Sequence, residues 1–139
     1  RWDDELFKQA YNFIPQTTVG DIINERGLEF IYYDQQQFKD LILLNQIHDS
    51  IEFEINISTG WTNMSSMVLS IKKSLEQSLQ WRGREFIIPV DCKAGLNLCE
   101  ASTINPNGLY KIDITKSQSE VEAELEKLWT KLNGSTETK

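Results

Sequence analysis

The chain has 139 residues, 40% hydrophobic and 25% charged, which is ordinary for a soluble globular protein and enough to bury a core in one compact domain. Fourteen basic residues against 21 acidic ones leave a net charge of −7, which argues against a free-standing nucleic-acid binder held by phosphate contacts. No apolar run is long enough to span a bilayer, and the charged start Arg1-Trp2-Asp3-Asp4-Glu5 carries no signal-peptide pattern, so a cytoplasmic protein with no membrane partner is expected.

In chain order, residues from about Glu5 to Tyr33 read as helical, with Pro15 as a disruption. Val19, Ile22, Ile23, Arg26 and Phe30 keep a helix-like spacing with one polar intruder. Asp34 to Lys39 is polar and reads as a connection. From Leu41 to Ile57 the pattern is that of a β-hairpin. Leu41-Ile42-Leu43-Leu44 form an apolar run, and Ile51, Phe53, Ile55 and Ile57 then alternate strictly with Glu52, Glu54 and Asn56. His48-Asp49-Ser50 falls at its tip, and His48 is the only histidine. Alternation puts Glu52 on the solvated face.

Ser58-Thr59-Gly60 is a turn signal, and Asn63 is a plausible N-cap. Met64, Met67, Val68, Ile71, Leu75 and Leu79 recur at helical spacing up to Trp81, with Gly83 as a stop. The Met64/Met67 stripe reads as core. A third strand is expected from Phe86 to Ala94, at an edge or bulge because Pro89 cannot donate a ladder hydrogen bond. Asn105-Pro106-Asn107-Gly108 marks a turn, and Leu109 to Ile114 a fourth strand. Ser117-x-x-Glu120 is a capping box opening a helix that carries Val121, Leu125, Leu128, Trp129 and Leu132 on one face and ends near Gly134. Residues 135–139 are expected to be a disordered tail. The expected fold class is α+β, a small antiparallel sheet covered by helices, in a single domain over residues 1–134. Cys92 and Cys99 lack the clustering of a zinc site and are expected to be reduced.

Asp49 carries the main chemical expectation. A hairpin tip holds a carboxylate rigidly and leaves it open, which suits a hard divalent cation. The ordinary alternative is a turn aspartate that caps its own hairpin. His48 allows proton transfer or a structural place beside the turn. Asn12 and Gln16 lie four apart, with Lys8 one turn earlier, so a helix would set all three on one face, as DNA contacts or as solvated polar residues.

Gln46-x-His48-Asp49-x-Ile51-x-Phe53-Glu54 resembles motif C of the family A (DNA polymerase I-like) DNA polymerases. Asn12-Phe13-Ile14-Pro15-Gln16-Thr17-Thr18-Val19-Gly20-Asp21-Ile22 resembles a helix upstream of it, with Pro15 shifted by one and Thr17 in place of glycine. Val90-Asp91-Cys92-Lys93-Ala94-Gly95 resembles the final palm strand, where Asp91 reads as structural. The three patches fall in the family's order over about the first hundred residues, and residues 100–134 look like an elaboration. The resemblance implies that Asp49 is a ligand of catalytic Mg2+ and that His48 sits near the primer terminus. It also implies that Lys8, Asn12 and Gln16 contact the primer-template. Ser50 stands where many members have glutamate. Neither the family's Asp-x-Ser-x-x-Glu motif nor its fingers helix for the triphosphate is present. That absence, with a start on Arg1 rather than methionine, suggests the C-terminal palm portion of a longer enzyme, possessing half a metal site and inactive alone. The resemblance to a bacteriophage-type enzyme places it in a host cytoplasm, with primer-template DNA, deoxynucleoside triphosphates and the remaining polymerase domains as partners. Two other classes remain open: a non-catalytic acidic protein-interaction domain, and a single-metal nuclease, for which carboxylates and histidines are scarce.

Overall fold

The computed structural model describes residues 17–134, so Lys8, Asn12 and Gln16, the start of the first helix and the tail all lie outside the described residues. By its contacts the chain divides into two compact units at Glu54–Ile55, inside a strand, where no change of composition marks a boundary.

In the first unit, helix α1 occupies residues 17–33 and stops at Tyr33 as expected. Its middle, Ile23–Glu29, is π-helical. Ile23, Gly27 and Ile31 are its buried positions. The following connection is not simply polar. The Asp34 carboxylate accepts from Gln37 N–H at 3.2 Å, and Asp34 O accepts from Phe38 N–H at 3.0 Å. This fold-back drives Phe38 inward to 2% exposure, with its ring edge-on to Phe30 at 5.4 Å. Burying a side chain of that size contributes about 1.5–3 kcal/mol. Strands β1 (Leu41–Ile47) and β2 (Ser50–Ile55) then form an antiparallel hairpin.

The second unit is built on two helices, α2 (Trp61–Leu75) and α3 (Gln118–Gly134). Val68, Ile112, Ile114, Val121 and Leu125 form its buried cluster, and Met64, Cys92, Ala94 and Leu128 pack against it. Met67 is also buried, so the methionine stripe is core packing. Trp129 is half-buried and lies 6.2 Å from Trp61. The region after residue 100 supplies most of this cluster, so within the unit it is a structural centre. The capping box forms, with Glu120 Oε2 accepting from Ser117 N–H at 3.0 Å.

Several elements of this unit differ from expectation. Asn63 is not an N-cap. The helix begins at Trp61 after Gly60, and the Asn63 amide donates to Thr59 O at 3.1 Å from the first turn. Helix α2 ends at Leu75, not at Trp81. Glu76 caps the stop: its carboxylate takes Lys72 at 2.6 Å and the Val90 N–H at 2.9 Å. Leu79–Trp81 is strand β3, paired antiparallel with β4 (Arg84–Phe86). The expected third strand is therefore divided, because Pro89 interrupts pairing between β4 and β5 (Cys92–Ala94). Strand β5 pairs with β6 (Tyr110–Ile112). The class is α+β, and the antiparallel pairing is distributed over three two-stranded ribbons rather than one sheet.

Lys93 and Lys111 face each other across β5–β6, a repulsive pair relieved on both sides. Lys93 binds Glu100, and Lys111 lies 2.9 Å from Asp91. The loop between these strands is pinned along its length. Leu96 N–H donates to Asn107 O, and Leu109 N–H to Cys99 O, both at 2.8 Å. A Cβ on Gly95 would lie 2.2 Å from Gly108 O, and one on Gly108 2.5 Å from Cys99 O, so neither position admits a side chain. Both cysteines are free thiols. Burial, reinforced by the Asp91 charge, pushes the Cys92 thiol up to about 11.

Candidate functional site at the β1–β2 turn

His48 and Asp49 are the two turn residues between β1 and β2. Two-residue hairpin turns match the twist of their strands only with a left-handed backbone at the first central position. His48 meets that demand with a φ of 52°, a region uncommon for residues other than glycine in which histidine, asparagine and aspartate are the most tolerated. The Ser50 hydroxyl donates to Ile47 O at 2.9 Å and ties the two strands together directly behind the turn. Serine here therefore braces the hairpin instead of adding a carboxylate.

Asp49 is exposed and takes neither a hydrogen bond nor an ion pair among the described residues. It does not cap its own turn, and its carboxylate is free for a ligand. His48 is exposed beside it. Strand β2 runs through Ile55 as the alternation predicts, with Ile51, Phe53 and Ile55 half-buried. The alternation fails at Ile57, which opens a short 3-10 turn, Ile57–Thr59, after Asn56 folds back to accept the Ser58 N–H at 2.9 Å. Glu52 is half-buried, not solvated as the alternation implied, and Glu54 is exposed. On β1, Ile42 and Leu44 share a face and remain 57% and 47% exposed.

No group of three or more His, Cys, Asp or Glu residues is placed to hold a metal among the described residues. Magnesium demands near-octahedral oxygen ligation, with carboxylates supplying its protein ligands. A single carboxylate on an exposed turn does not meet that demand, so these residues by themselves do not fit a Mg2+ centre. No described helix is long and apolar enough to cross a membrane.

A second presented turn escaped the sequence reading. Leu79 continues the helical spacing of Leu75, which hid the alternation of Leu79-x-Trp81 and Arg84-x-Phe86 about the two-residue break Arg82-Gly83. That spacing is the signal that finds it. Comparison of the chain with known protein families, with characterised proteins and with solved structures gives no match in any of the three.

Proposed function

We propose that the chain is the C-terminal palm portion of a template-directed DNA polymerase, to which it contributes one carboxylate, Asp49, and contacts to the primer-template. The observation that carries this reading is an unpartnered, exposed aspartate on a two-residue turn between antiparallel strands, in the sequence setting of motif C. Ser50 holds the strands behind it, so the backbone that carries the carboxylate is braced. The remaining Mg2+ ligands and the triphosphate site are assigned to a preceding part of the enzyme. The 139-residue chain is then expected to give no product in a primer-extension assay with Mg2+ and all four deoxynucleotides. The full-length parent is expected to extend the primer and to lose that activity on Asp49→Ala. Robust extension by the chain alone, or a parent indifferent to Asp49→Ala, overturns the reading.

An acidic protein-interaction domain is the second reading, supported by the exposed apolar side chains Ile42, Leu44 and Ile47 on β1. A parent reading frame lacking both Asp-x-Ser-x-x-Glu and a fingers helix would decide in its favour.

A further inference from the structure

The β3–β4 ribbon projects from a closed base. Glu76 at the end of α2 accepts the Val90 N–H, so one side chain bridges the fourteen-residue separation that contains the whole ribbon. Burial pushes the Glu76 carboxyl up, but the hydrogen bonds from Lys72 and Val90 and the Lys72 charge together hold it below its ordinary value. At the far end, Arg82 and Gly83 have φ of 48° and 75°, the two left-handed residues of a type I′ turn. Register places Leu79, Trp81, Arg84 and Phe86 on one face and Gln80 and Glu85 on the other. On the first face Trp81 is 58% exposed and Phe86 43%.

The Arg82 guanidinium lies over the Trp81 ring, 5.7 Å from its centroid. Neither Arg82 nor Arg84 makes an ion pair among the described residues, although the chain carries seven more acidic than basic residues. Asparagine is the residue a type I′ turn prefers at the first position, and arginine there is a local misfit. Local misfits that the surroundings do not require concentrate where a side chain serves a ligand.

We infer that this ribbon face binds a single-stranded nucleic acid, with bases stacking on Trp81 and Phe86 and phosphates held by Arg82 and Arg84. Aromatic rings accept any base by its π-face, and guanidinium forks match phosphate oxygens in pairs. The charge of the whole chain opposes long-range attraction, so the contact is short-ranged and weak, set by the tip alone. It involves neither Asp49 nor His48 and stands whether or not the polymerase reading does.

The test is titration of the 139-residue protein, uniformly labelled with 15N, with an oligodeoxythymidylate eight nucleotides long. Saturable shifts are expected at the Trp81 indole N–H and at the amides of residues 80–86. The affinity should fall with salt on a log–log slope of about −1.4 for two phosphate contacts on a single strand. Arg82→Asn combined with Arg84→Thr should weaken binding at least tenfold and flatten that slope. Because Asn-Gly suits the turn better than Arg-Gly, the variant should keep the wild-type fold, read from its unshifted core resonances. The absence of saturable shifts at the ribbon overturns the proposal. So does binding unchanged by loss of both guanidinia, which would show that Arg82 and Arg84 do not hold the phosphates.

Discussion

The two hairpin turns, His48-Asp49 and Arg82-Gly83, solve one backbone problem with opposite chemistry. Each requires a left-handed residue at its first position, and each fills it with a bulky, polar side chain instead of glycine or asparagine. The first turn then presents a bare carboxylate, the second a guanidinium above an indole. In a chain of net charge −7 an exposed acid is ordinary and an unpaired basic tip is not. A turn whose local preference is overridden is a better pointer to a ligand than the charge of the molecule around it.

The largest separation between the turns is functional. In a full-length parent, Asp49→Ala should lower primer extension by at least about a hundredfold, more than 2.7 kcal/mol of barrier, with no loss of thermal stability. Arg82→Asn in the same parent should retain primer extension within a few-fold. Equal losses from both would erase the distinction. The next effect is on stability. Gly83→Ala forces a Cβ into the left-handed region and should cost about 1–2 kcal/mol, read from the denaturation midpoint. Asp49 is not left-handed, so Asp49→Ala should not show this cost.

At the first turn position the sign reverses. His48→Asn should stabilise the protein by up to about 1 kcal/mol, since asparagine tolerates the left-handed region better. A loss of stability would mean that His48 makes a contact worth more than its strain. The smallest effect concerns acid. Glu76 has a lowered folded pKa, so its contribution is present above its ordinary value of 4.5 and lost as pH falls through the folded one. An i,i+4 pair of this kind is worth about 0.3–0.5 kcal/mol. The protection factors of the β3–β4 amides, corrected for the intrinsic exchange rate at each pH, should therefore fall by about twofold below pH 4.5, and Glu76→Gln should abolish that fall. The β1–β2 turn rests on Ser50 and should not share that transition.

How far the sequence could be read follows from the same two ribbons. The β1–β2 hairpin was legible because strict period-two alternation from Ile51 to Ile55 admits no helix. The β3–β4 hairpin was not, since Leu75 and Leu79 also satisfy the spacing of a helix face. The chain leaves α2 at Glu76, whose carboxylate accepts the Val90 N–H fourteen residues on, a tertiary bond that no local pattern carries. Phe38 was lost for a related reason: its burial depends on the Asp34 fold-back inside a segment that is polar by composition. The final helix was legible from its capping box and its apolar face. At the candidate site, the tip position of Asp49 was readable. That Ser50 braces the strands, and that Glu52 is half-buried, are properties of packing that no local pattern carries.

The glycine-pinned loop between β5 and β6 has a consequence for engineering. With three asparagines and two glycines, it looks like the natural place to insert an epitope, a fluorophore-bearing peptide or new chain termini. Gly95 and Gly108 make it the reverse. With no room for a Cβ at either residue, length added beside either glycine must first part backbones that are already in contact. The displacement would pass along β5–β6 to Ile112, a member of the buried cluster, and to Cys92, which faces it and packs against that cluster. A random-insertion library screened for folded protein should find this stretch among the least permissive of the molecule, and loop composition alone would have ranked it among the most.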